Sequence, residues 1–419
     1  MKIRKWKNSE IGKKKHVVVL SQFYKPEPNI FPPQIAEALK NEGNRVSVVT
    51  GYPNRPGGKI YDGYSQKLRY SEVIDGITVH RVPLIINYSR RAAERVFNFL
   101  TFAASALTAT SKIKDADAVY VYATPATAAI PAQVWKLIFG IPYVLHVQDI
   151  WPESVTDSGM VGKGKLNTLA ERLLSIWLKR LYGNADALIA ISPGMRDLLI
   201  DRGNQAERCV VVYNWAAESS IIIKDETDFS DSQLNLLYAG NLGPMQDLET
   251  VVEAAHQIET GVPFSLKFAG GGISENGLRE LSQGSANIEF LGRLSREDVA
   301  QLYLEADFQL VTLKDIPIFR TTVPSKLQAS LAAGVPVITT VKGDVAKLIE
   351  EHGVGLVAEP GNVASLQEAM KRALAMSSKE RAEMGKRARL LYESKMSHFS
   401  GTSAINSVLK YVIDGTDNQ

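Results

Sequence analysis

Short apolar runs alternate with segments of helical periodicity along the first half of the chain. Strand-like runs lie at His16–Leu20, Arg45–Thr50, Ile77–Val82, Ala118–Tyr122, Tyr143–Val147, Ala187–Ile191 and Cys209–Val212. Apolar residues at helical spacing fall between many of these runs, at 33–41, 91–111, 126–139, 164–182 and 194–202. Strands that alternate with helices in this way predict a parallel β-sheet covered by helices on both faces.

The same alternation restarts after a polar connection at 217–233. Strand-like runs follow at Leu234–Ala239, Ser265–Phe268, Ile288–Leu291, Phe308–Leu313, Val335–Thr340 and Gly355–Val357. Helical patterns lie near 247–258, 295–305, 324–333, 345–351, 363–375 and 378–393. Because 419 residues are too many for one hydrophobic core, the pattern predicts an α/β fold with two Rossmann-like, doubly wound domains that face a cleft.

This pattern gives a predicted domain organisation. A basic tail covers residues 1–15, the first Rossmann-like domain covers 16–197, and the second covers 198–394. A C-terminal helix within 395–419 is expected to pack back on the first domain. In such folds, ligands bind at the carboxyl ends of the strands, so the turns that follow the strands are the first place to look for chemistry.

The stretch from Thr321 to Ile338 predicts a polar turn, a helix and a buried strand. Pro324 suits the first helical position, Gly334 ends the helix, and Lys326 lies in the first turn. The helix dipole disfavours a cation at this end, so Lys326 suggests an anion nearby, and a phosphate is the usual guest of a helix N-terminus. The alternative is an ordinary sheet-packing helix with a solvated lysine.

Two glycine-containing turns follow strands of the second half. The first contains Gly240 and Gly243, and the second contains Gly270 and Gly271. Glycines permit close backbone approach, and backbone N–H groups in such turns can cradle a phosphate. Neither turn has a GxGxxG or GxxxxGKS motif, and each alone could be a simple turn. Together with the helix at Pro324 on one predicted sheet edge, they favour a nucleotide-type ligand.

Two turns of the first half also carry polar residues at strand ends. Lys25 and Glu27 follow the first strand, in a proline-rich segment that we expect to place charge at the cleft. Gln148, Asp149 and Glu153 leave the strand at Tyr143–Val147, where the carboxylates could serve acid–base or hydroxyl-binding roles. The alternative for Glu153 is a helix-start carboxylate.

Charge is distributed unevenly along the chain, although the net charge is only +3. Residues 1–197 contain 27 Lys and Arg against 16 Asp and Glu, a balance of +11, and the remainder carries −8. The basic half also contains two amphipathic patterns, at 90–102 and 172–182, that interleave bases with apolar residues. This combination indicates contact with an anionic membrane surface or a phosphorylated substrate, unless the apolar faces simply pack against the sheet.

Cysteine usage and hydropathy restrict the class of protein. The single cysteine, Cys209, excludes an intrachain disulfide framework and fits a reducing compartment. No run of about 18 apolar residues occurs, so no membrane-spanning helix is predicted, and the N-terminus does not resemble a signal peptide. The histidines show no metal-ligand spacing, and no metal, cofactor or nucleic-acid partner is expected. We therefore expect a cytoplasmic protein, peripheral at the inner face of the cytoplasmic membrane.

Four stretches resemble the GT-B glycosyltransferases of family 4, over nearly the whole chain and closest to bacterial members that build capsule, O-antigen or colanic-acid-type polysaccharides. They are Thr50–Tyr61, Val147–Glu153, Tyr238–Gly243, and Pro324–Lys326 with Ala332–Pro336. The resemblance implies a metal-independent, retaining transferase. Its second domain would hold a UDP- or GDP-sugar donor and its first a saccharide acceptor, which we expect to be linked to polyprenyl diphosphate.

The resemblance also implies roles for individual residues. Catalytic roles fall to Gln148, Asp149 and Lys326, and acceptor contacts to Lys25, Glu27 and Glu153. Donor contacts fall to Gly240, Asn241, Gly243, Gly270, Gly271, Arg320, Thr321, Thr322, Val323, Pro324, Ser325 and Lys326.

Four positions depart from the family pattern. Relatives commonly have Arg and Lys where this chain has Asn241 and Gln246, and two glutamates where it has Thr321 and Ala329. The usual ribose-binding carboxylate is therefore missing, and ribose recognition must differ.

Two other functions fit parts of the same pattern. A sugar-nucleotide epimerase of GT-B shape would use the same cleft without a sugar acceptor. A non-enzymatic two-lobed sugar-binding protein would need no phosphate-type turns.

Overall fold

A computed structural model describes residues 14–87, 92–151, 165–258 and 263–417. The chain divides into two compact units. Unit 1 comprises residues 1–189, 199–210 and 404–419, and unit 2 comprises 190–198 and 211–403. Each unit is built around its own β-sheet, and together they confirm the predicted fold class of two Rossmann-like α/β domains.

An eight-stranded sheet forms the centre of unit 1. Its strands are β1 (His16–Leu20), β2 (Arg45–Gly51), β3 (Tyr70–Ile74), β4 (Ile77–Val82), β5 (Ala118–Ala123), β6 (Tyr143–Val147), β7 (Ala187–Ala190) and β8 (Cys209–Val211). They are arranged in the order β3-β4-β2-β1-β5-β6-β7-β8. Strand β1 pairs in parallel with both β2 and β5, and all five of its residues are buried, as expected for a strand covered on both faces.

One strand of this sheet was not predicted. Strand β3 pairs antiparallel with β4 at the sheet edge, so the first sheet is mixed and not purely parallel. Its burial alternates between half-buried and exposed residues, and its sequence Tyr-Ser-Glu-Val-Ile contains only a weak apolar pattern. An edge strand with one face in solvent needs few apolar residues, which explains why the run was missed.

A six-stranded sheet forms the centre of unit 2. Its strands are β9 (Leu234–Ala239), β10 (Phe264–Ala269), β11 (Ile288–Gly292), β12 (Phe308–Val311), β13 (Val337–Thr339) and β14 (Gly355–Val357). The spatial order β11-β10-β9-β12-β13-β14 is that of a doubly wound dinucleotide-binding sheet, and its pairs are parallel. The order reverses between β9 and β12, the point at which such sheets bind ligands.

Fourteen α-helices occur in the described parts of the chain. In chain order they are α1 (Phe31–Asn41), α2 (Ala92–Ala106), α3 (Thr110–Ile113), α4 (Ile130–Phe139), α5 (Lys165–Gly183), α6 (Pro193–Asp201), α7 (Leu248–Gln257), α8 (Glu275–Leu281), α9 (Arg296–Glu305), α10 (Ser325–Ala333), α11 (Asp344–His352), α12 (Val363–Ala375), α13 (Ser378–Leu391) and α14 (His398–Asp417). None of the helices in these described ranges is both long and apolar enough to cross a membrane.

Unit boundaries fall at different places from those in the predicted scheme. The sequence pattern places a boundary at residue 197, whereas the first sheet includes β8, which ends at Val211. The last helix, α14, contributes residues from Ala404 onwards to unit 1. There the amide of Asn406 donates to the carboxylate of Glu42 at 2.9 Å.

A buried ion pair lies within unit 2. The Arg381 side chain is 4% exposed and that of Asp307 is 2% exposed, and the Arg381 Nε lies 3.4 Å from the Asp307 Oδ1. Arg381 also donates to the backbone carbonyls of Met376 and Ser230. Burial raises the pKa of Asp307, against the opposing effects of the Asn235 N–H and the two nearby cations. This pair ties α13 to the start of β12.

Candidate functional site

Helix α10 follows the predicted stretch closely, with one difference at its start. Pro324 is the capping residue, with an extended ψ of 139°, and the helix begins one position later at Ser325. The predicted helical position for Pro324 was therefore wrong by one residue. Gly334 ends the helix at a φ of 75°, in the left-handed region that favours glycine. Leu327 and Leu331 are fully buried, so the helix is fixed against the sheet.

Lys326 turns from this helix towards the first glycine turn. Its Nζ donates to the Tyr238 hydroxyl at 2.8 Å and to the side-chain oxygen of Gln246, and it lies 4.4 Å from the centre of the Tyr238 ring. The Tyr238 hydroxyl in turn donates to the Asn241 carbonyl at 2.7 Å. Burial without an acidic partner lowers the pKa of Lys326 to about 8. Lys326 is thus a partly desolvated cation held by neutral groups, and not a solvated lysine.

The two glycine turns touch each other. Gly240 has a φ of 152° and Gly270 a φ of 147°. A Cβ on Gly270 would overlap the Gly240 carbonyl oxygen, and a Cβ on Gly240 would lie 2.5 Å from the Lys326 Cε. Both positions therefore require glycine, because any side chain would displace the neighbouring turn or the lysine.

Two of the N–H groups in these turns bond to neighbouring strands. The Gly240 N–H donates to the Ala269 carbonyl at 2.8 Å, and the Gly270 N–H donates to the Gly292 carbonyl at 2.7 Å. Neither group is available to cradle a phosphate, because both already close the sheet edge. By contrast, the N–H groups of Asn241 and Gly271 donate to no acceptor in the described ranges, and both precede helices on the ligand-binding edge.

A cavity of about 830 Å³ opens in front of these turns in unit 2. Four residues of α9 line this cavity. Six of the predicted donor residues also line it, namely Gly240, Asn241, Gly270, Pro324, Ser325 and Lys326. Gly243 and Gly271 do not line it, although Gly271 directly adjoins one of its arginines. Three cationic side chains and no carboxylate line the cavity in the described parts of the chain, so it is suited to an anionic ligand.

The segment before α10 lies outside this cavity. Arg320 forms a two-point ion pair with Asp315, at 2.8 and 3.0 Å. Thr321 accepts a hydrogen bond from Ser192 through its backbone carbonyl, and Thr322 donates to the Phe319 carbonyl. Val323 is buried in the core against α10. The structure of unit 2 therefore brings Pro324, Ser325 and Lys326 to the cavity, but not Arg320, Thr321, Thr322 or Val323.

Two arginines of the cavity were missed from the sequence. Arg293 directly follows β11, and its Nε lies 3.1 Å from where a Cβ on Gly271 would be. Arg296 begins α9 and also lines the cavity. Both side chains are exposed, and neither forms an ion pair with another described residue. Arg293 directly follows a strand, as the polar residues singled out in the first half of the chain do, so the same signal would have found it.

In unit 1, Glu27 is a buried structural acceptor. Its side chain is 5% exposed. The carboxylate accepts N–H bonds from Asn54 at 2.8 Å, Arg55 at 2.9 Å and Tyr24 at 3.3 Å. Burial raises the pKa of Glu27, while these three N–H groups oppose the shift. The expectation that Glu27 places a free charge at the cleft was wrong, because its carboxylate holds the turn after β2 against the turn after β1.

Lys25 is engaged at the protein surface. Its Nζ forms an ion pair with the Asp75 carboxylate at 2.7 Å, and both side chains are about half exposed. Glu153 lies outside the described residues. Of the three predicted acceptor-side residues, Lys25 and Glu27 thus already have partners within unit 1.

Gln148 and Asp149 leave the carboxyl end of β6, as predicted. Gln148 is half-buried, whereas Asp149 is exposed. Desolvation by the surrounding protein raises the pKa of Asp149, and the Thr124 hydroxyl and the charge of Arg55 oppose this shift. A carboxylate held at a strand end beside a cation and a hydroxyl is able to accept a proton from, or bind, a ligand hydroxyl.

Metal-ligating residues do not cluster in the described structure. Within residues 14–87, 92–151, 165–258 and 263–417, no group of three or more His, Cys, Asp or Glu side chains is placed to hold a metal ion.

Two family models match successive parts of the chain. The family model described as a glycosyl transferase 4-like domain matches residues 31–215, and that described as glycosyl transferases group 1 matches residues 220–391. The chain is 28% identical over 357 residues to an Escherichia coli (strain K12) protein named as a colanic acid biosynthesis glycosyl transferase, WcaI. That match covers 81% of this chain and 87% of the relative.

Solved structures show the same fold at low sequence identity. Sucrose-phosphate synthase from Thermosynechococcus elongatus superposes with a TM-score of 0.72 at 16% identity, covering 96% of this chain and all of that one. Anabaena Alr3699/HepE in complex with UDP and glucose superposes with a TM-score of 0.63 at 16% identity, covering 94% of this chain and 99% of that one.

Proposed function

Because the chain belongs to the GT-B glycosyltransferases of family 4, with a glycosyl transferase 4-like domain followed by a group 1 domain, we propose that it transfers a sugar from a nucleoside diphosphate donor with retention at the anomeric carbon. The observation that carries the proposal is the cavity of unit 2. There, the half-buried Lys326 lies beside the first of two touching glycine turns, in a wall with three cations and no carboxylate among the described residues. A diphosphate is the ligand chemistry that this arrangement fits best.

In this proposal, unit 2 binds the donor. Lys326 neutralises the charge that develops on the leaving diphosphate, and the N–H group of Asn241 donates to one of its oxygens. Arg293 and Arg296 add positive charge at the exposed side of the cavity. Hydrogen bonds to Tyr238 and Gln246 hold Lys326 in place before the bond breaks, so it stabilises the departing anion with little reorganisation. No divalent metal is part of the proposal, since the protein itself supplies the cations.

Unit 1 binds the acceptor in this proposal. Asp149, next to Gln148 at the end of β6, orients the acceptor hydroxyl and takes part in its deprotonation. Departure of the diphosphate gives an oxocarbenium-like sugar that the hydroxyl attacks from the same face. Holding the reacting atoms together in this way supplies much of the acceleration.

A lipid-linked saccharide is the proposed acceptor, in bacterial surface polysaccharide synthesis. The name of WcaI supports the polysaccharide, and the HepE complex with UDP and glucose supports a UDP-sugar. Apolar side chains on the basic half of the chain support contact with an anionic membrane. Phe97 of α2 is 54% exposed, and Leu173 and Ile176 of α5 are 60% and 44% exposed, near the exposed bases Arg172 and Lys179. The protein would therefore act at the cytoplasmic face of the membrane.

Thermal unfolding with UDP, GDP, ADP and dTDP is the first test. A ligand at about 100 times its dissociation constant stabilises the folded state by about 2.7 kcal/mol, enough to raise the melting temperature by several degrees. The second test incubates the protein, in EDTA, with the matching nucleotide-sugar and a synthetic polyprenyl-diphosphate saccharide. We expect a glycosylated product whose new linkage, by NMR, has the anomeric configuration of the donor.

Four results would contradict different parts of the proposal. An inverted linkage would refute retention, and activity only with added divalent metal would refute metal independence. An epimerised sugar formed from the donor alone, without transfer, would replace the transferase with an epimerase. Failure to sediment with vesicles containing anionic lipid at low salt would refute direct membrane contact.

A further inference from the structure

Tyr303 is a polar residue of the cavity that the proposed chemistry does not use. It lies in the last turns of α9, and its side chain is 4% exposed. Nevertheless it lines the cavity of unit 2. Its hydroxyl has no hydrogen-bond partner among the described residues. The hydroxyl is not one of the buried side-chain atoms that lack a partner, so it keeps some accessible surface. A hydroxyl that is accessible at a cavity wall and has no partner in the described protein can hydrogen-bond a ligand atom.

The neighbours of Tyr303 locate it along the cavity. Its ring packs in one apolar cluster with Ala239 and Ala269, the residues immediately before Gly240 and Gly270. Ala329, on the facing helix α10, packs against the same cluster and also lines the cavity. Tyr303 is therefore adjacent to the two glycine turns that the proposed function assigns to the diphosphate.

We infer that the Tyr303 hydroxyl hydrogen-bonds a ribose hydroxyl of the bound nucleotide. This inference rests on the proposed function, since it takes the ligand to be a nucleoside diphosphate. In a nucleoside diphosphate the ribose is joined directly to the α-phosphate, so it lies near the glycine turns, whereas in the donor the transferred sugar is joined to the β-phosphate at the other end. A tyrosine hydroxyl both donates and accepts, which suits an alcohol partner. The cavity offers no carboxylate from a described residue for this task, and the small Ala329 leaves the wall open beside Tyr303.

Binding of matched nucleotides to matched variants tests the inference. Dissociation constants of UDP, 2′-deoxy-UDP and 3′-deoxy-UDP are measured by titration calorimetry for the intact chain and for Tyr303→Phe. We expect Tyr303→Phe to weaken UDP binding by between about twofold and tenfold. The loss should disappear with one of the two deoxy analogues, the one that lacks the contacted hydroxyl. Tyr411→Phe, the same change at a 70% exposed tyrosine of α14, should leave all three dissociation constants unchanged.

The outcomes separate this inference from the function on which it rests. Equal UDP binding by the intact chain and a folded Tyr303→Phe variant would overturn the inference, and so would an equal loss with all three nucleotides. If the intact chain binds none of UDP, GDP, ADP and dTDP, the proposed function itself fails. Melting curves of the ligand-free variants show whether Tyr303→Phe remains folded, and Tyr303→Leu provides a second variant without the hydroxyl.

Discussion

Raising the pH should weaken nucleotide binding and stabilise the ligand-free protein at the same time. Both effects come from Lys326, whose pKa is lowered to about 8 by burial. If only the protonated amine binds the diphosphate, the dissociation constant of UDP stays nearly constant below pH 7.5 and increases above pH 8. From pH 7.5 to pH 9.5 the protonated fraction falls about 25-fold, which corresponds to about 1.9 kcal/mol of binding free energy.

Ligand-free stability should move in the opposite direction. Lys326 binds its proton less tightly in the folded protein than in the unfolded chain, where lysine has a pKa of about 10.4. The unfolded state therefore holds more protons between these two values, and the free energy of unfolding increases with pH across that interval. The difference between the folded and unfolded pKa values limits this increase in the free energy of unfolding to about 3 kcal/mol.

The assay is UDP titration calorimetry at half-unit steps from pH 7 to pH 9.5, with chemical denaturation at each pH. The phosphate itself has finished titrating in this range, since its last pKa is near 6. Burial raises the pKa of Tyr238, so its phenol stays neutral.

Lys326→Met should bind UDP at least about tenfold more weakly at pH 7.5, and its dissociation constant should not change with pH. Lys326→Arg, charged throughout, should also give a flat profile. The reasoning is refuted if the intact chain binds UDP equally at pH 7.5 and 9.5, or if Lys326→Met shows the same pH dependence.

Three further substitutions test other parts of the structure. Gly270→Ala should abolish UDP binding or prevent folding, because its methyl group would overlap the carbonyl of the first glycine turn. Gly277→Ala, whose methyl group would have no other atom within 4 Å, should bind UDP normally, and equal behaviour of the two variants would contradict the contact between the turns. Glu27→Ala should lower the free energy of unfolding by about 2 kcal/mol, and Glu27→Gln should lower it by less, because the amide keeps one acceptor oxygen for the buried N–H groups. The measurement is urea denaturation, and an unchanged free energy of unfolding would show that those hydrogen bonds are not made. Arg381→Met should lower the free energy of unfolding, measured by urea denaturation, by about 3–5 kcal/mol, because it leaves the Asp307 carboxylate buried without its cation. Adding Asp307→Asn should recover part of that loss, and no recovery would contradict the ion pair.

Strands and strand-end turns could be predicted from the sequence because their signals are local. A fully buried parallel strand such as β1 is a continuous apolar run, and the glycines after β9 and β10 mark turns wherever the strands end. Gly334 likewise marks the end of α10, because glycine readily adopts the left-handed conformation found there. Strand β3 could not be found in this way, because pairing with β4 stabilises it more than its own apolar residues do.

Long-range hydrogen bonds account for the residues that were misread. Glutamate is usually found at the protein surface, and nothing near Glu27 in the sequence indicates that the N–H groups of Asn54 and Arg55 will donate to its carboxylate. Which N–H groups of the glycine turns remain available could not be predicted, because those of Gly240 and Gly270 donate to carbonyls at the ends of neighbouring strands. Lys326 was recognised from its place in a first turn, whereas its neutral partners Tyr238 and Gln246 became visible only in three dimensions.

Direct contact between the two glycine turns constrains how this protein can diverge. A side chain at Gly270 would collide with the backbone of Gly240, and one at Gly272 would collide with the backbone of Leu242. Neither turn can acquire bulk unless the other one moves away. Substitutions in the two turns are therefore coupled, and changes in the shape of the cavity are expected at residues around them, such as those on α9.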